Sequence, residues 1–240
     1  MAIRTMKSLK NIKGFSLIEM SVVVTIMAVV MGGTLAVSIK KKASAKISDT
    51  EEKIAFIIDA IDNYVDENGL VPCPADPELT FSAPAFGFSD CGNANFLTSV
   101  GATNIEAGAV PVYTLNIPPE YVFDAWNNRF SYVMDTDSYA AGTDHNITVR
   151  NLNMGSDFAT DAVVMVISHG ENGHGAWQGA GGATRVRVAS IVDTTSEGEN
   201  AHNQNDSSEN SYDLNFTQSM RVSGFDDIVK YRTKWQLDFD

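Results

Sequence analysis

The sequence predicts an α+β protein in which one long N-terminal helix packs its second half against an antiparallel β-sheet. Three observations predict it. Residues 15–39 form an apolar run with a single charge, an amphipathic helical pattern follows directly, and period-two alternation recurs later in the chain. Composition agrees: 44% hydrophobic and 20% charged residues describe a folded protein, and 240 residues suffice for one domain with appendages.

The first element is a basic leader, residues 1–14. It carries Arg4, Lys7, Lys10 and Lys13 and no acid, whereas the whole chain has a net charge of −13. Without the leader the remainder stands four lower, at −17. So acidic a body makes nucleic acid an unsuitable partner. A basic head on an acidic body is also a sorting pattern, with the Lys and Arg side cytoplasmic and the rest exported.

The second element is the apolar run Phe15–Ile39. Its 25 residues exceed the ~20 that span a bilayer as a helix. A secretory signal core is shorter, about 7–15 residues. The small-residue site Ala43-Ser44-Ala45 also stands behind Lys40, Lys41 and Lys42. Retention as an anchor is therefore expected. Glu19 is the one charge in the run, and the helix offers it no cation before Lys40. An acid in a membrane segment costs about 2.5–3.5 kcal/mol at the centre and less near an edge, which suits a position five residues in.

Residues 40–68 read as the amphipathic half of the same helix. After Lys40–Lys42 and Lys46, apolar residues recur at Ile47, Ile54, Ile57, Ile58, Ile61 and Val65, with acids off that stripe. Gly69 after Asn68, then Pro72 and Pro74, end it. A helix from Phe15 to about Glu67 would be roughly 80 Å long at 1.5 Å per residue. Gly32-Gly33 is a weak point where bending is expected.

Residues 69–240 form the head. Val229 to Phe239 alternates strictly and reads as a strand, as do Val186 and Val188 between Arg185 and Arg187. Ala162–Ser168 reads as a buried strand, with Phe130–Met134 and Ile147–Arg150 as weaker ones. Residues 72–109 read as a long loop, and the polar, acidic residues 194–213 as a flexible excursion. Cys73 and Cys91 lie 18 residues apart in the first loop. If the head is exported they form a disulfide worth roughly 3 kcal/mol. The alternative is two free thiols.

The residues Gly14-Phe15-Ser16-Leu17-Ile18-Glu19, preceded by Lys10 and Lys13, resemble the processing signal of type IV prepilins and type II secretion pseudopilins. The resemblance implies cleavage after Gly14 by a prepilin peptidase and N-methylation of Phe15. It implies that Glu19 meets the N-terminal ammonium of a neighbouring subunit during assembly, which would answer its missing cation. It also implies a pilin-like fold, other pilin or pseudopilin subunits, an inner-membrane assembly platform and membrane lipid as partners, and a head in the periplasm. In the head, Gly69-Leu-Val-Pro-Cys-Pro-Ala75, Asp124-Ala-Trp-Asn127, Ser168-His-Gly-Glu-Asn-Gly173 and Gly224-Phe-Asp-Asp-Ile-Val229 are similar to pseudopilin segments. Asn127 stands where that family has glycine, which questions the tight turn there.

Other chemistry finds little footing. His169-Gly-Glu171-Asn-Gly-His174 holds two imidazoles and a carboxylate, but Gly170, Gly173 and Gly175 argue against the helix that HExxH zinc binding needs. Calcium suits the oxygens of Asp226-Asp227, Asp135, Asp137 and residues 194–213, and some pseudopilins bind it, yet no EF-hand spacing occurs. No nucleophile elbow or phosphate loop is present. The expected function is a non-enzymatic structural subunit without an obligatory cofactor, in a secretion pseudopilus or a related fibre. A minor pilin of a surface or DNA-uptake pilus is the near alternative. A periplasmic binding protein or enzyme on an uncut anchor is the distant one.

Overall fold

The computed structural model describes residues 14, 16–91, 105–136, 147–151, 156–179, 200, 215–219 and 225–237, without the side chains of 32–39. The chain divides into two compact units, Met1–Ala45 and Lys46–Asp240. Helix α1, Leu17–Asn68, belongs to both and runs for 52 residues. The helix runs unbroken through Gly32-Gly33, where bending was expected. Gly69 ends α1 with φ of 69°, donating its N–H to the Val65 carbonyl at 2.7 Å. That left-handed cap is open to glycine without a Cβ penalty.

In the second unit α1 buries Ile54, Ile57, Ile58, Ile61 and Val65, as the periodicity predicted. Thr50 is buried too and fills the step between Ile47 and Ile54. Its hydroxyl accepts the Ala125 N–H at 3.2 Å, so the polar group is satisfied where an apolar one was expected. Burial of each Ile stabilises by about 1.5–3 kcal/mol.

The sheet contains β1 (Ile105–Ala109), β2 (Ser131–Asp135), β3 (Ile147–Asn151), β4 (Asp157–Ser168), β5 (Asn215–Gln218) and β6 (Ile228–Thr233). The order is β1-β2-β4-β3-β5, with β6 paired to β4. All pairs are antiparallel except β3 with β5. The architecture is therefore α+β with an antiparallel-dominated sheet. Strand β4 explains its own unbroken apolar run. Val164 and Val166 join the core containing the α1 stripe, while Met165 and Ile167 join a second core with Ile105, Val133, Phe216 and Val229. A strand covered on both faces has no polar alternate positions.

Several expectations need correction. The C-terminal strand stops at Thr233 although alternation continues. The N–H groups of Gln236 and Leu237 donate to the Thr233 carbonyl, and the Gln236 side-chain oxygen accepts the Thr233 N–H. This turn drops Leu237 into the core and leaves Trp235 88% exposed. Residues 72–109 are not wholly loop, because β1 occupies the end and Ala75 exchanges 2.9 Å hydrogen bonds with Ala109 beside it. Strand β5 was not anticipated, and Val186 and Val188 lie outside the described residues. So does the acidic segment 194–213, except for Asn200. That residue is buried, its amide bonded to both backbone groups of Thr217 and to Asp227.

Cys73 and Cys91 form a disulfide. It closes the loop that carries Pro77, Leu79 and Phe86 onto the head core, where buried Arg129 donates to the Pro77 and Leu79 carbonyls at 2.9 and 2.6 Å. The guanidinium lies 5.4 Å from the Phe86 ring centre. The double replacement Cys73→Ser and Cys91→Ser is expected to lower unfolding stability by roughly 3 kcal/mol. Guanidinium titration of the full chain in detergent, read by tryptophan fluorescence, measures it.

Candidate processing and assembly site

Of the N-terminal residues singled out by sequence, Gly14, Ser16 and Glu19 are described at the start of α1. Gly14 is exposed, and a Cβ built on it would have nothing within 4 Å. Packing among the described residues therefore makes no demand for glycine there. Phe15 lies outside the described residues. Ser16 and Glu19 then form a reciprocal pair: the Ser16 N–H donates to Glu19 Oε2 at 3.0 Å, and the Glu19 N–H donates to Ser16 Oγ at 3.2 Å. This is a capping box, which satisfies two donors at a helix start that the helix itself cannot. The acid also sits at the positive end of the helix dipole. Sequence reasoning missed the pairing, although Ser16-x-x-Glu19 before an apolar run is its signature.

Beyond Glu19, two polar side chains of the apolar stretch turn onto the helix backbone. Ser21 Oγ donates to the Ile18 carbonyl and Thr25 Oγ1 to the Ser21 carbonyl, each at 2.8 Å. The apolar side chains around them, from Leu17 to Met31, are exposed. Among the described residues no helix is long and apolar enough to cross a membrane, and the side chains of 32–39, inside the expected 15–39 span, are outside that description.

In the head the sequence-marked segment 124–129 forms the tight turn that Asn127 had placed in question. Asn127 adopts φ of 67°, which Asn tolerates better than most residues. Asp124 Oδ1 accepts the N–H groups of Trp126 and Asn128, each at 2.9 Å, and Oδ2 accepts the Ser168 hydroxyl at 2.8 Å. Gly179 lies against the turn so closely that a Cβ there would stand 2.8 Å from the Asn127 carbonyl oxygen. Lys46 places its ammonium 5.8 Å from the Trp126 ring centre. One turn thus ties α1 to β4. Burial pushes the Asp124 carboxyl above its usual range, against the pull of its hydrogen bonds to Asn128, Ser168 and Trp126.

The His169 segment is a turn, not a helix, with φ of 62°, 66° and 90° at Gly170, Gly173 and Gly175. His169 is buried with Nε2 2.8 Å from Ser131 Oγ, and the His174 N–H donates to Asn172 Oδ1. Asp226 Oδ2 accepts the N–H groups of Glu171 and Asn172 at 2.7 and 3.1 Å, clasping this turn. Asp227 accepts from Asn200 at 2.9 Å. Asp135 is buried at the end of β2, and Asp137 lies outside the described residues. Among the described residues no group of three or more His, Cys, Asp or Glu side chains is placed to hold a metal.

Residues 9–35 match the family described as the prokaryotic N-terminal methylation motif. This is the prepilin-type cleavage and methylation motif of type IV pilins and pseudopilins. The matched stretch contains Lys10, Lys13, Gly14, Phe15, Ser16 and Glu19. No curated protein and no solved structure matches the chain.

The raised Asp124 carboxyl gives a pH test. A folded state that holds this proton more tightly than the unfolded chain is favoured at low pH, and that contribution fades as pH rises through the folded value. Asp124→Asn keeps the acceptor for Trp126 and Asn128 and never ionises. It is expected to match the wild type in acid and to exceed it at neutral pH, flattening that part of the melting profile between pH 4 and 7. Melting temperatures of both chains across that range measure it.

Proposed function

We propose that this chain is a prepilin-like structural subunit, cut after Gly14, N-methylated at Phe15, and assembled through α1 into a type II secretion pseudopilus. The carrying observation is Glu19: a carboxylate at the head of an apolar helix, five residues beyond Gly14, within a stretch that matches the methylation motif. Ser16 satisfies its hydrogen bonding but brings no positive charge. Cleavage creates an ammonium at Phe15, and a neighbouring copy's ammonium would neutralise the carboxylate where lipid or other helices exclude water.

The topology follows from the same reading. The leader stays cytoplasmic, residues 15–39 anchor the chain in the inner membrane, and the head folds in the periplasm. The Cys73–Cys91 disulfide supports an oxidising compartment for the head. A pilin-like arrangement is supported by a long N-terminal helix whose later half packs on an antiparallel-dominated sheet. The partners are a prepilin peptidase, other pilin or pseudopilin subunits, the assembly platform and lipid. The role is structural, needing no catalytic residue and no cofactor.

Glu19→Ala is the direct test. It is expected to leave cleavage after Gly14 intact and to abolish fibre recovery from the cell surface or from overproducing cells. Normal assembly of the variant would remove Glu19 from the mechanism. Deletion of the whole chain separates the two fibre types: loss of secreted proteins with normal twitching supports the pseudopilus, and the reverse supports a minor pilin of a surface pilus.

A further inference from the structure

The outer face of α1 within the head carries an exposed acidic stripe with one aromatic ring in it. Glu52, Phe56, Asp59, Asn63 and Asp66 are exposed and recur at alternating steps of four and three, away from the buried Ile54, Ile57, Ile61 and Val65. Among the described residues, the ion pairs of this helix are Lys53 with Asp49 and Arg232 with Asp62. Neither engages Glu52, Asp59 or Asp66. Between these acids Phe56 is 43% exposed and stacks on Tyr121 with ring centres 4.4 Å apart. A ring flanked by carboxylates suits lysine, whose alkyl stem lies on the ring while its ammonium meets the acids.

The same chain supplies the complement. Lys40, Lys41 and Lys42 are consecutive and exposed on α1, and among the described residues none has an acid paired to it. Successive residues turn by about 100° around a helix, so three in a row present an ammonium over a wide arc.

We infer that the outer face of α1 in the head of one copy docks the Lys40–Lys42 cluster of a neighbouring copy, with Phe56 as the apolar anchor. The inference rests on the fibre reading above and adds which surfaces meet. The two patches differ, so the contact is heterologous. Such contacts repeat open-endedly unless the rotation closes a ring, which is the behaviour a fibre requires.

Two triple variants test it in the cells that make the protein: Lys40→Glu with Lys41→Glu and Lys42→Glu, and Glu52→Lys with Asp59→Lys and Asp66→Lys. Each alone is expected to lower fibre recovery by about tenfold through like-charge contact. The chain carrying both sets recovers it to within about threefold. Cleavage after Gly14 and formation of the Cys73–Cys91 disulfide stay unchanged throughout, which excludes misfolding. In chains otherwise unaltered, co-produced Lys41→Cys and Asp59→Cys copies join through a bismaleimide in the assembled fraction. Full recovery from both single triples, or intact fibres without that cross-link, overturns the inference and leaves the fibre reading standing. An uncut or unassembled wild-type chain overturns both. If the combined variant fails to recover and the lysine triple loses binding to phosphatidylglycerol vesicles, the lysines serve anionic lipid and the inference falls.

Discussion

A carboxylate at the mouth of an apolar helix sets the terms for the N-terminal half of this protein. Glu19 is held by the Ser16 N–H and returns the favour through its own N–H to Ser16 Oγ. The pair caps α1, where the first turn otherwise leaves its donors unmatched. Hydrogen bonding, however, is not neutralisation. Ser16 is uncharged and brings no counter-charge to the carboxylate, which stands beside Leu17, Ile18 and Met20. Ser21 and Thr25 turn their hydroxyls onto the helix backbone. Among the described residues the segment thus presents an apolar surface with one carboxylate and no cation paired to it, and the proposed assembly contact uses that property.

The head follows the same rule with buried groups. Arg129 spends its guanidinium on two loop carbonyls between aromatic rings, Thr50 takes an N–H from the 124–129 turn, and Asn200 matches the backbone of Thr217. These contacts connect parts that the backbone ladders do not. Arg129 and the disulfide hold the 73–91 loop, and Asp124 joins the turn to Ser168 on β4. Packing of the later half of α1 on the head leaves its outer face exposed for the proposed subunit contact.

What could be read from sequence was whatever follows periodicity. The α1 stripe from Ile54 to Val65, its end at Gly69, and the buried strand through Val164 and Val166 all appear where spacing put them. The misses came where a side chain competes with a ladder. Gln236 bonds back to Thr233 and halts β6 in the middle of perfect alternation, which no period-two count detects. Strand β1 hid behind alanines and a glycine, whose strand signal is weak. The four-residue β5 is too short to show a period. At the N-terminus Gly14 to Glu19 were legible as part of the motif that residues 9–35 match, whereas the Ser16–Glu19 pair was missed because a two-residue cap signal is weak beside a lone acid in an apolar run. Asn127 resolves the other way: its departure from glycine put the tight turn in question, and asparagine's tolerance of positive φ keeps it.

The state of the native N-terminus tests the central claim most directly. Intact-mass and N-terminal sequencing of the protein from cells with an active prepilin peptidase is predicted to find a chain beginning at Phe15 and carrying one methyl group on its amine. A chain that still begins at Met1 or Ala2 in such cells would contradict the account, because no ammonium would then exist at Phe15 for a neighbour's Glu19 to meet.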